Sequence, residues 1–150
     1  MSDIDLQDLR LRAQRVREFD FRLDGEVLFH LRHPSRYEAE RIFVRHRGDM
    51  AALLRHLVET SIIGWAGVCV RHAVPEAKHG DQPLAWSPEA AELILDERTE
   101  WIDAIGTAIV NRMTERHARM DDTRKNSPSG PPGSAPAATD SSSPLSDSEL

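Results

Sequence analysis

Seven histidines and a single cysteine are the side chains in this chain best suited to chemistry. Cys69-x-x-His72, followed by His79, offers three candidate ligands in one loop. Structural zinc takes four, and no fourth stands beside them. Solvated loop histidines are the expected outcome. Cys69 lies between Val68 and Val70, with His72 three residues on. A cysteine–histidine nucleophilic pair needs that proximity, but a cysteine in apolar company is more often an inert buried thiol. His30 and His33 fall at the end of an alternating stretch. A spacing of three on a strand puts them on opposite faces, which suits joint ligation poorly.

Other constellations are missing. The sequence has no Gly-x-Ser-x-Gly elbow, phosphate-cradling glycine loop or His-Glu-x-x-His pair. Asp96, Glu97 and Glu100 sit near an expected helix start, where acids serve the positive end of the dipole. The expectation is therefore a protein without catalytic, cofactor or metal residues that works by binding.

The whole-chain figures narrow the partners. The net charge is −6 over 150 residues, which argues against a general nucleic-acid binder. Arg10, Arg12, Arg15 and Arg17 form the most basic stretch, but no aromatic stacking residue is interleaved. No apolar run reaches the roughly 18 residues of a membrane span. The N-terminal Met1-Ser2-Asp3-Ile4-Asp5 lacks the apolar region of a signal peptide. One cysteine forbids an intrachain disulfide. A reducing cytoplasm is the expected compartment.

Positioning elements follow from periodicity. Residues 3–15 suggest a short helix. Phe19, Phe21 and Leu23 alternate with polar residues, then Asp24-Gly25, then Val27, Phe29 and Leu31 alternate again. Asp-Gly between alternating runs predicts a hairpin with positive φ at both turn residues. Ser35 and Glu38 form a capping box for a helix carrying Tyr37, Ile42 and Phe43, which Gly48 ends. Asp49 caps the next helix, Met50–Ile63, whose Leu53, Leu54, Leu57, Val58 and Ile62 make the clearest amphipathic stripe. Residues 69–86, with Pro75, Gly80 and Pro83, read as an irregular excursion. Ser87-Pro88-Glu89 restarts a helix. A further helix carries Trp101, Ile102, Ile105, Ile109 and Met113, then fades into polar Glu115–Arg124.

The expected fold is α+β and mainly helical, a β-hairpin packed on about four helices. One globular domain is expected over residues 1–125. Residues 126–150 hold five of the nine prolines and eight serines, so a disordered tail is expected there.

Trp65 and Trp86 bracket the excursion and Trp101 lies on the last helix. They are expected to pin the loop to the helices and complete the core. Tryptophan is also enriched at partner interfaces, and both roles are open.

Ile63-Gly64-Trp65-Ala66-Gly67-Val68 resembles the Gly-Trp-x-Gly-Val signature of the small tail assembly chaperones of long-tailed phages. Gln82-Pro83-Leu84-Ala85-Trp86-Ser87-Pro88-Glu89 is similar to that family's Pro-Leu-x-aromatic-Ser-x-Glu step into a helix. Leu93-Ile94-Leu95-Asp96 with Trp101-Ile102 resembles its Leu-Leu-Asp-Asp…Trp segment. Upstream, the Asp24-Gly25 hairpin followed by His33-Pro34-Ser35 is similar to its hairpin, Pro-Ser and helix, and Lys125-Asn126-Ser127 resembles the polar end of its last helix. The likeness covers roughly residues 17–127.

The resemblance implies a non-enzymatic protein of the host cytoplasm, absent from the mature virion. Its implied partners are the tape-measure protein and tail-tube protein, with self-association open and neither nucleic acid nor membrane expected. An apolar groove covering the tape measure's helical stripes would use Leu54, Leu57, Val58, Trp65, Trp101 and Ile105. The alternatives are another small viral assembly or adaptor protein, or a small metal protein or enzyme built on Cys69, His72 and His79.

Overall fold

The computed structural model describes residues 3–125. The Pro/Ser-rich tail expected at 126–150 lies outside the described residues. The chain divides into two compact units, Met1–Thr114 and Glu115–Leu150. The described part of the second is helical.

The elements run α1 (Leu6–Arg15), β1 (Glu18–Leu23), β2 (Val27–Arg32), α2 (Arg36–Arg45), α3 (Met50–Ser61), β3 (Ile62–Ala66), α4 (Val70–Ala73), α5 (Pro88–Glu97) and α6 (Thr99–Lys125). The class is the expected one, α+β and mainly helical. The alternating runs pair antiparallel, from Glu18 opposite Arg32 to Leu23 opposite Val27. Asp24 and Gly25 have φ of 52° and 77°, the left-handed pair that Asp-Gly allows at low steric cost. Glu26 also stands outside the ladder, so the connection spans residues 24–26.

Helix starts follow their caps. The Ser35 hydroxyl accepts from the Glu38 amide at 3.2 Å, and the Ser35 amide donates to the Glu38 carboxylate at 2.9 Å. This amide is the main reason the Glu38 carboxyl is held below the usual carboxylate range, with Arg17 contributing. Asp49 accepts from the Ala52 amide at 3.1 Å and Ser87 from the Ala90 amide at 3.0 Å. Each cap satisfies an amide that has no partner within its helix.

Two elements, β3 and α4, differ from expectation, and Asp96 and Glu97, expected near a helix start, stand in the last turn of α5 instead. The helix read as Met50–Ile63 stops at Ser61, and Ile62–Ala66 is a strand. It pairs antiparallel with β2, Leu31 opposite Ile62 and Leu28 opposite Ala66, with an irregularity between His30 and Leu31. The hairpin is therefore a three-stranded sheet in the order β1-β2-β3. Ile62 and Ile63 extend the helical apolar series of α3, but they are β-branched and lead to a glycine. Pairing with β2, distant in sequence, tips that balance.

The core lies on one sheet face. Leu23, Val27, Phe29 and Leu31 are buried there, with Phe19 and Phe21 partly buried beside them. They meet Leu57 and Val58 of α3, Ile94 and Leu95 of α5, and Ile105 and Ile109 of α6 in one cluster. Phe29 sits at its centre, with Trp65 edge-on at 6.1 Å and Trp101 at 5.7 Å, arrangements that aromatic quadrupoles favour. Gly106 lets α6 approach α3 closely, since a Cβ there would lie 3.0 Å from Leu54 Cδ2.

Candidate functional site

The stretch 69–86 is less irregular than expected. It contains the short helix α4 and folds back on itself. The Val70 amide donates to the Gln82 carbonyl at 2.9 Å, and the Leu84 amide to the Val68 carbonyl at 2.8 Å. Trp65 closes the same junction, its indole N–H donating to the Leu84 carbonyl at 2.7 Å. Gly67 has φ +84°, and a Cβ there would stand 2.1 Å from the Glu26 carbonyl oxygen. Only glycine fits. At Gly64 the nearest atom would be 3.4 Å away, so the two glycines of Gly-Trp-Ala-Gly-Val are not equivalent.

Cys69 and His72 do come together, for a structural purpose. The Cys69 amide donates to His72 Nδ1 at 2.9 Å, which leaves Nε2 to carry the proton in the neutral ring. The His72 ring packs 5.3 Å from Trp101. Burial, then the charges of Arg71 and Arg98, push its pKa down. Among the described residues, no group of three histidine, cysteine or acidic side chains is placed to hold a metal ion. His30 and His33 separate as their spacing predicts. His30 bonds Asp20 at 2.7 Å near the surface, and His33 is 2% exposed beside Phe19.

The six residues expected to contact a partner divide in two. Leu57, Val58, Trp101 and Ile105 are buried in the core of the single chain. Leu54 and Trp65 are partly buried and pack against it. Of the three tryptophans, Trp65 and Trp101 complete the core, while Trp86 is exposed.

Surface available to a partner lies elsewhere. A cleft of about 840 Å³ opens where the end of α1, the end of β2, α2 and α3 meet. Tyr37, Val44 and Ile42 supply apolar lining, and Arg17, Arg41 and Arg45 supply charge. Arg17 is held in place, donating to the Glu38 carboxylate at 3.1 Å and the His33 carbonyl at 3.4 Å. Arg41 lies 5.8 Å from the Tyr37 ring centre, a cation–π distance. On the α3 side, His56 Nδ1 and His46 Nε2 share a hydrogen bond at 2.8 Å. Burial, then His46 and Arg45, push the His56 pKa down. Sequence reasoning missed this cleft. Arg17 was visible as part of a basic stretch, but its convergence with Arg41 and Arg45 depends on how α2 packs.

No family model, curated protein or solved structure matches this chain. Among the described residues, no helix is long and apolar enough to cross a membrane.

Proposed function

We propose that this chain is a non-enzymatic tail assembly chaperone. It binds the tape-measure protein in the host cytoplasm, keeps it soluble, helps recruit tail-tube subunits and leaves before the virion is complete. The observation that carries this reading is the junction at Trp65. Two segments that separately resemble the family, Gly64–Val68 and Pro83–Glu89, are joined by the Trp65–Leu84 and Leu84–Val68 hydrogen bonds. Gly67 is required there by the hairpin loop, and Ser87 and Pro88 start α5 from it. Trp65, Gly67, Leu84, Ser87 and Pro88 thus belong to one unit, each with an identifiable physical role.

The test is co-expression with a phage tape-measure protein, followed by size-exclusion chromatography with light scattering. Co-elution that keeps the partner soluble supports the reading. An insoluble partner, with this chain eluting alone, overturns it. Particle mass spectrometry then distinguishes a structural adaptor, which stays in purified particles, from a chaperone, which does not.

A further inference from the structure

Strand β1 is an open edge of the sheet. It pairs with β2 on one side, and among the described residues no other element runs alongside its backbone. The phase of the ladder tells which groups are left. The His33 amide donates to the Arg17 carbonyl at 3.1 Å, so these two form a hydrogen-bonded pair. Bonded and unbonded pairs alternate along an antiparallel ladder. Phe19, Phe21 and Leu23 therefore bond to β2, while the N–H and C=O groups of Glu18, Asp20 and Arg22 point away from it. Among the described residues, no backbone hydrogen bond reaches these three from outside the ladder.

Native proteins blunt such edges with proline, bulges or charge. Strand β1 has neither proline nor bulge, and its register with β2 is unbroken over six residues. The ladder to β3, by contrast, is irregular, and β3 contains Gly64. The exposed side chains of β1, Glu18, Asp20 and Arg22, are of both signs, so they do not simply repel another copy. On the core face, Phe29 and Leu31 of β2 are fully buried, but Phe19 and Phe21 of β1 are only partly so. Apolar cover runs out toward this edge.

We infer that β1 pairs antiparallel with β1 of a second copy of this chain, about a two-fold axis at Asp20. The strand is complementary to itself in that register. Glu18 stands opposite the partner's Arg22, and Arg22 opposite the partner's Glu18. On the core face Phe19 meets the partner's Phe21 at an unbonded position, where facing side chains are closest. Opposite charges and aromatic pairs both stabilise facing strands. Only Asp20 meets its own kind, and each Asp20 already bonds His30 at 2.7 Å. Moving the axis to Phe19 or Phe21 would set an outward residue against Val16 or Asp24, outside the strand. The Asp20 register is thus the symmetric one that pairs all three. It joins two three-stranded sheets into one by an isologous contact that closes on itself. A six-residue edge is small for a specific interface, so the dimer is reversible rather than obligate.

The test is sedimentation equilibrium of the full chain at up to about 1 mM, where even a weak complex is populated. The expected result is a reversible dimer of twice the 16.9 kDa chain mass. Amide exchange at Glu18, Asp20 and Arg22 should slow as concentration rises. Arg22→Glu sets acid against acid on both sides of the axis and should weaken the dimer about tenfold or more. Glu18→Arg alone sets base against base and should do the same. An equimolar mixture of the two variants faces opposite charges again at both places and should restore the dimer. Lys78→Glu, an exposed charge change away from β1, should leave it unchanged. Because Glu18 and Arg22 are exposed, each variant should keep the amide spectrum of the folded chain. A monomer at every concentration, a dimer without slowed exchange at the three amides, indifference to Arg22→Glu, or a mixture that stays monomeric would each overturn the inference. Edge pairing does not depend on the chaperone role, and none of these outcomes bears on whether the tape-measure protein is kept soluble.

Discussion

Two regions of this molecule use similar residues to opposite ends. Around Phe29, leucines, isoleucines and tryptophans at regular spacing are buried by the sheet, α3, α5 and α6. Along α1 and the outer face of α2, Leu6, Leu9, Val16, Tyr37 and Val44 are exposed, with arginines between them. The first arrangement stabilises the chain by removing apolar surface from water. The second contributes little to stability while unbound and leaves that surface for something else. Apolar periodicity marks a face that favours burial. It does not say whether the chain itself supplies the cover.

The sharpest way to break this comparison is to truncate one aromatic on each side. Trp101→Ala removes a nearly buried ring that contacts Phe29 and His72. It should cost about 3–5 kcal/mol, a large share of the roughly 5–15 kcal/mol that stabilises an ordinary domain. Tyr37→Ala, 66% exposed, should stay within about 0.5 kcal/mol. Urea unfolding of both variants checks this, and equal losses would erase the distinction between the regions.

Next in size is Gly67→Ala. Its added Cβ meets a backbone carbonyl 2.1 Å away in a left-handed conformation. A loss of about 2 kcal/mol or more is expected from strain and displacement of the hairpin loop. Gly64→Ala, with no contact closer than 3.4 Å, should lose distinctly less. Thermal melts of the pair test whether the second glycine of the motif is the structural one.

Trp65→Phe keeps a ring against Phe29 but removes the donor to Leu84. A loss of about 1–2 kcal/mol is expected, because a partly buried carbonyl loses its partner and some ring volume goes. Hydrogen exchange should show the effect at the amides of Val70 and Leu84, which tie this junction. Protection unchanged there would mean the indole bond holds nothing.

The pH response should come from histidines on both sides. His56 and His72 have pKa values below the ordinary one, mainly through burial. The unfolded chain therefore takes up protons that the folded chain resists. Their contribution is complete above about pH 6.5, the unfolded value, and is lost as pH falls from there through the lower folded values. Melting temperature should drop modestly from pH 7.5 to 5.5, a window that stays above the carboxylate range, and His72→Gln should flatten part of the drop. A rise on acidification would contradict the neutral state that the Cys69–His72 hydrogen bond requires.

The smallest effect is expected at Ser61. Its hydroxyl is fully buried without a hydrogen-bond partner. Ser61→Ala removes that unmet group and should stabilise the chain by up to about 1 kcal/mol, read as a higher urea midpoint.

Much of this architecture was legible in the residues themselves. Asp24-Gly25, Ser35 with Glu38, Asp49 and Ser87-Pro88 each specify a turn or helix start through bonds to neighbours in sequence. Those signals are local, so they survive without knowledge of the fold. Strand β3 was not legible, because Ile62 and Ile63 continue the periodicity of α3 and only the free edge of β2 makes them a strand. The candidate site was legible in part. Leu57, Val58, Trp101 and Ile105 were expected to contact a partner, and they are buried among the sheet and neighbouring helices.

The sequence alone determined the class, the starts of α2, α3 and α5, the hairpin and the absence of a common catalytic pattern, because each depends on residues a few positions apart. Only the tertiary structure decided which apolar stripes became core, why Gly67 admits no side chain, and that arginines from separate elements converge on one cleft. Those outcomes depend on contacts between segments far apart in sequence, and such contacts are set by how the whole chain packs.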